Sequence, residues 1–241
     1  MLNQQPPEKV VKTPSPYDGL LDVHSIFYTI QGEGPFCGTP AVFVRLAGCN
    51  LQCPWCDTDY TSNRERMTVA AIVGQVLQHM APGGLVVITG GEPYRQHIGD
   101  LIDALVERRF YVQIETNGTL PPSPSIYYTQ DVHQRRGAYV VCSPKTGMVH
   151  PSIHVVACAY KYVMDAGNVD PDDGLPVTAL GHVANPKLRR PPSSSHKPIY
   201  LQPADHQEEG ANAHNLKAVI ASAMKHGYIV QVQLHKILNM E

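Results

Sequence analysis

Three cysteines, Cys49, Cys53 and Cys56, fall within eight residues in the pattern C-x3-C-x2-C. Three thiolates this close can hold an iron-sulfur cluster. A 4Fe-4S cluster has four irons and usually takes four thiolates, so three leave one iron open to a small chelating ligand. Zinc is the competing occupant, because clustered thiolates also make structural zinc sites. Such sites want four ligands, usually from two separated pairs, and no second pair occurs here; Cys37 or one of twelve histidines would have to complete the set. A disulfide framework suits a long chain without a secretory leader poorly, so the thiols are read as reduced and the protein as cytoplasmic. Cys142 and Cys158 sit in apolar runs and read as small buried hydrophobes.

The elements that must position these thiols follow from periodicity. Alternating or apolar runs predict strands at 21–30, 41–46, 85–88, 110–115, 138–142, 158–164, 198–202 and 228–233. The run at 41–46 ends at the cysteine loop. Helical spacing of Val69, Ile72, Val73, Val76 and Leu77 predicts a helix over 68–80 with Thr68 as its N-cap. The same pattern predicts helices over 94–109 and 211–226, the last ending at Gly227. Residues 165–197, rich in proline, glycine and serine, read as an irregular connection. Strands alternating with helices imply a parallel sheet with polar loops at the edge where ligands bind. The expected architecture is a partial, open (β/α) TIM-like barrel with about six parallel strands and about three main helices, too few for a closed eightfold barrel.

Composition bounds the function. The chain has 241 residues, 43% hydrophobic and 17% charged, which suits one globular domain, 19–241, behind a flexible proline-rich tail, 1–18. A net charge of -2 gives no electrostatic footprint for nucleic acid and favours a small-molecule substrate. No apolar run approaches the ~20 residues of a membrane span.

One further loop carries chemistry. In Gly90-Gly91-Glu92-Pro93 the paired glycines let backbone approach a ligand, and Glu92 could accept from a ligand ammonium. Alone this is a turn; with the cysteine loop, the chain resembles the radical S-adenosylmethionine superfamily. Eight segments narrow the resemblance: IQGEG at 30–34, PAVFVRLAGC at 40–49, CPWCDT at 53–58, VITGGEP at 87–93, IETNGT at 114–119, SPK at 143–145, LQP at 201–203 and QLHK at 233–236. In these the chain resembles the 7-carboxy-7-deazaguanine synthase family over residues 21–241.

The resemblance implies a set of roles. Cys49, Cys53 and Cys56 would ligate the 4Fe-4S cluster, whose open iron chelates S-adenosylmethionine. Trp55, Cys56, Asp57, Gly91, Glu92, Ser143, Pro144, Lys145, Gln202, Pro203, Ala204 and Asp205 would form that cofactor's pocket, with Glu92 near its ammonium. Thr58 would bind Mg2+. Ile30, Gln31, Gly32, Glu33, Arg45, Thr89 and His235 would contact the substrate, 6-carboxy-5,6,7,8-tetrahydropterin, with Arg45 on its carboxylate. The implied reaction abstracts hydrogen at C6, contracts the ring and releases ammonia. A homodimer and an electron donor such as flavodoxin or ferredoxin belong to the same picture. The residues alone favour humbler roles for Arg45, as an ion pair with Glu33 or Glu115, and for His235, as a core histidine. A glycyl-radical activase, which shares the cysteine spacing, and a zinc-binding interaction module are the competing functions.

Overall fold

Short apolar runs, buried on both faces in the central strands, build the sheet around which everything else is arranged. The structure is a computed structural model and describes residues 3–11, 18–182 and 186–240. Its strands are β1 (Leu20–Ile30), β2 (Pro40–Leu46), β3 (Glu65–Thr68), β4 (Leu85–Gly90), β5 (Tyr111–Thr116), β6 (Gly137–Cys142), β7 (Ala157–Met164), β8 (Ile199–Pro203) and β9 (Ile229–Val230). They form one sheet in the order β3-β1-β2-β4-β5-β6-β7-β8-β9. From β2 to β9 every pairing is parallel. β1 runs antiparallel to both β2 and β3 and widens the sheet at one edge. Neither edge meets the other, so the expected partial, open barrel is what the chain builds, with the short β9 as a seventh parallel strand.

The helices are α1 (Val69–His79), α2 (Gly99–Glu107), α3 (Pro151–Val156), α4 (Glu209–His226) and α5 (Leu234–Ile237). Thr68 caps α1 as expected, its hydroxyl accepting from Ala71 N at 3.1 Å. The helix expected from residue 94 begins instead at Gly99, after a 3-10 turn over Pro93–Arg95. The reason is tertiary: Gln96 bonds Asp22 through both backbone groups, and Ser123 Oγ accepts from Ile98 N at 3.2 Å. Of the run 228–233 only Ile229 and Val230 pair with β8.

Alternation sorts the sheet into two faces. One face, with Val42, Val44, Val86, Ile88, Val112, Ile114, Tyr160 and Tyr162, packs on Ile72, Val76, Leu101, Leu105 and Val219 of the helices. The other is apolar only at its lower end, where Phe36 lies edge-on to Tyr111 and Tyr139, at 5.3 and 5.0 Å between ring centres. Above that plug the same face turns polar: Arg45 stands opposite Thr89 on β2 and β4, and Gln202 opposite Val163 on β8 and β7. A cavity therefore opens toward the C-terminal strand ends.

Two loop segments close in on that end. The described part of 165–197 holds no helix or strand and is tied down by Lys187 to Asp170 (2.8 Å) and Arg190 to Asp173 (2.7 Å). Residues 3–11, within the stretch expected as a flexible tail, lie along the cysteine loop, with Asn3 N on Pro54 O (2.7 Å) and Glu8 N on Cys49 O (2.6 Å). The rest of that stretch, 1–2 and 12–17, lies outside the described residues. Among the described residues no helix is long and apolar enough to cross a membrane.

Candidate active site

The cysteine loop leaves the end of β2 and folds over the open end of the sheet. Beneath it lies a cavity of about 480 Å³. Its walls bring together Ile30, Gln31, Glu33, Arg45, Thr89 and His235 of the residues expected on substrate. Trp55, Cys56, Asp57, Gly91, Ser143, Lys145, Gln202, Pro203 and Asp205 of the expected cofactor residues line it too, as do Cys49, Cys53 and Thr58. Gly32, Glu92, Pro144 and Ala204 stand behind this lining.

The three thiols are unpaired with one another or with any other cysteine, and Cys49 and Cys53 are buried. Burial pushes the Cys49 thiol up to about 12 and that of Cys53 to about 11, and raises Cys56 as well. Such thiols stay protonated until a metal displaces the proton, so metal uptake here releases acid. Among the described residues no three His, Cys, Asp or Glu side chains converge to hold a single metal ion. The chemistry of the cavity suits a larger group with a polar ligand: Gln202 Oε1 is buried there without a hydrogen-bond partner, an acceptor awaiting a donor. Lys145, which lines the same wall, donates to Ser143 Oγ and is held below the usual lysine range by burial and by Lys161.

Glu92, expected beside a ligand ammonium, is fully buried and is not among the residues that line the cavity. Its carboxylate accepts from Tyr94 N (3.0 Å), Thr116 Oγ1 (2.7 Å) and Asn117 N (2.7 Å). Burial lifts its pKa to about 7 against those donors. It pins the loop after β5, and so places Asn117, which reaches Asn50 of the cysteine loop at 2.9 Å. Gly91 packs so close to the Gly48 carbonyl that a Cβ would overlap it, which is why the strand end can meet the cysteine loop.

Lys161 is the residue that sequence reading passed over. It points inward from the otherwise apolar β7 and pairs with Glu33, with Glu115 4.0 Å away. Burial would raise the Glu33 pKa, but the Lys161 ammonium outweighs it and holds the carboxyl at about 2. Lys161 is correspondingly held above its ordinary value. The pair engages the two carboxylates that could have neutralised Arg45. Arg45 instead lies over the Phe27 ring at 5.0 Å and makes no ion pair among the described residues. Gln31 Nε2 donates to Glu115 at 3.0 Å and Gln233 Nε2 to Glu33 at 2.9 Å, closing a polar ring around the cavity floor. α5 brings in His235 against Gly32, and Lys236 bonds Asp205 at 2.6 Å.

Comparison with known proteins turns this geometry into a family. Residues 43–126 match the radical SAM superfamily model. A 7-carboxy-7-deazaguanine synthase of Rhodospirillum rubrum is 43% identical over 94% of this chain and 96% of that protein. This chain belongs to the 7-carboxy-7-deazaguanine synthase family. A second 7-carboxy-7-deazaguanine synthase, from Rickettsia prowazekii, is 33% identical over 92% of the chain and 89% of its own length. The crystal structure of QueE from Escherichia coli superimposes with a TM-score of 0.62, covering 89% of this chain and 94% of that one at 23% identity, so the fold is shared. Membership of the 7-carboxy-7-deazaguanine synthase family makes the chain a lyase of the radical S-adenosylmethionine type, using a 4Fe-4S cluster and S-adenosylmethionine on a small-molecule substrate.

Proposed function

We propose that this chain converts 6-carboxy-5,6,7,8-tetrahydropterin into 7-carboxy-7-deazaguanine with loss of ammonia. The observation that carries the reading is Arg45, a guanidinium on the cavity wall that makes no ion pair among the described residues, while Glu33 and Glu115, the partners expected for it from the sequence, face Lys161. A planar donor fork without a carboxylate of its own suits a substrate that brings one.

Cys49, Cys53 and Cys56 hold the cluster, and Gln202, Ser143 and Lys145 offer the polar groups for S-adenosylmethionine. When bound, the reduced cluster and S-adenosylmethionine supply hydrogen-atom abstraction at the substrate's C6, from which the ring contracts. The chain's own residues bind and orient. Arg45 fixes the carboxylate, Phe27 and Phe43, stacked at 5.4 Å, wall the cavity beside it, and Thr89, Gln31, Glu33 and His235 face the polar ring edge. Thr58, whose hydroxyl lies 3.3 Å from Asp57 Oδ1, sits at the cysteine-loop side and offers hard oxygen chemistry for Mg2+. Gly32, Pro144 and Ala204 act through backbone, and Glu92 through the loop it pins. The reading also takes 19–241 as one catalytic domain in a cytoplasmic homodimer, reduced by a flavodoxin or ferredoxin.

The test is equilibrium binding of 6-carboxytetrahydropterin to the reconstituted, anaerobic chain. The Arg45→Ala variant is expected to bind at least about tenfold more weakly, in line with one lost charge-assisted pair. Equal binding of a decarboxylated analogue by wild type and variant is the companion expectation; unchanged affinity for the carboxylated pterin in Arg45→Ala would refute the assignment.

A further inference from the structure

His182 is remote from the cysteine loop in sequence and was flagged by no motif, yet its Nε2 lies 3.2 Å from Cys53 Sγ. Its position is built rather than incidental. Leu180 has a φ of 50° and Gly181 of 81°, so the chain makes a left-handed turn directly over the cysteine loop. A non-glycine residue in that region is uncommon and persists where surroundings over-determine it. The surroundings are visible: Leu180 O accepts from Trp55 N at 3.1 Å, and His182 N closes the turn on Ala179 O at 3.1 Å. Gly181 packs on Pro54 and Trp55 so tightly that a Cβ would lie 3.0 Å from Pro54 Cβ and 3.2 Å from the indole. The turn and residues 53–55 are therefore held against each other, and the imidazole is delivered to one thiol of the three.

A cluster-bound cysteine sulfur is a thiolate with no proton to give. Any hydrogen shared with it must come from His182, so Nε2 is the protonated nitrogen of the ring. A donor on a ligating sulfur draws electron density from the cluster and favours the extra electron of the reduced state. Hydrogen bonds to the sulfurs are among the terms that set cluster potentials. We propose that His182 is a positioning residue for the cluster, donating to the Cys53 thiolate and raising the cluster's reduction potential. This rests on the reading of Cys49, Cys53 and Cys56 as cluster ligands.

The experiment uses the full chain reconstituted anaerobically with iron and sulfide, as wild type, His182→Phe and His182→Gln. Iron and acid-labile sulfide are counted, and the cluster is titrated against redox dyes without S-adenosylmethionine, with electron paramagnetic resonance as the readout. All three are expected to load equally. At a fixed solution potential His182→Phe should show a reduced-to-oxidised ratio about tenfold lower than wild type, ~59 mV for a one-electron couple. His182→Gln, which retains an N–H donor, should lie between them. An unmoved potential in a fully loaded His182→Phe would overturn the proposal, as would loss of the cluster in both variants, since that is a folding role. A wild-type chain holding no iron and sulfide would overturn the parent reading and this one with it, which separates the two failures.

Discussion

At the scale of residues, the site depends on which charge answers which. Glu33 and Lys161 neutralise each other in a buried pair, and removing one leaves the other charged and unpaired. Lys161→Met is expected to destabilise the chain by about 3–5 kcal/mol in denaturant titration, whereas Glu33→Gln/Lys161→Met together should recover most of that loss. The pH dependence has a defined sign. The Glu33 carboxyl is held at about 2 against an ordinary 4.5, so its contribution is complete above 4.5 and lost as pH falls from there toward 2. Lys161 is held above 10.5, so its contribution is complete below that value and lost at higher pH. Comparing wild type with the double variant in acid should show a steeper decline for wild type between pH 4.5 and 2. Neither residue announced itself equally: Glu33 stands in a recognisable loop, while Lys161 lies in a run that reads as a buried apolar strand. The signal was there, since one lysine among alternately packed residues of β7 must point into a cavity or find an acid. Glu92 shows the opposite case. Its loop was legible, but two of its three donors come from residues 116 and 117, a partnership that only the folded sheet creates.

Among elements, the cysteine loop is clamped by segments far from it in sequence. Residues 3–11 run along it, with Asn3 Nδ2 on Cys53 O (3.1 Å), Gln5 Nε2 on Thr58 O (2.9 Å) and Tyr60 N on Gln5 Oε1 (2.7 Å). Arg95, itself buried, meets Glu8 at 3.3 Å. Deleting residues 1–11 is therefore expected to leave the sheet folded by circular dichroism while cutting retained iron after gel filtration by about half or more, through loss of several hydrogen bonds worth ~1 kcal/mol each. Full iron retention in the truncated chain would contradict this. The strap escaped sequence reading because its composition, four prolines in the first eighteen residues, has no periodicity to disclose a docking partner. The three main helices were legible through the 3.6 period that one buried face imposes, and the parallel strands as continuous apolar runs, because both of their faces are covered. The antiparallel pairing of β1 with β3 was not, since register across forty residues is a tertiary matter.

For the whole molecule, the open sheet explains why so little regular structure holds so large a site. Inward-facing side chains form an apolar plug at one end and a polar cavity at the other, where the cysteine loop, backed by residues 3–11, and the turn at Leu180 add walls that the open sheet lacks. The molecule as a whole thus makes one claim: three thiols, the Arg45 fork and the polar ring around Lys161 act on one substrate in one cavity. The most direct measurement is anaerobic turnover of the reconstituted chain with dithionite, S-adenosylmethionine, Mg2+ and 6-carboxytetrahydropterin, with metal and sulfide counted on the same sample. About four iron and about four sulfide per chain are expected, with formation of 7-carboxy-7-deazaguanine and release of ammonia, and neither cluster nor product from Cys53→Ala. Zinc without acid-labile sulfide, or cleavage of S-adenosylmethionine with the pterin left intact, would contradict that claim.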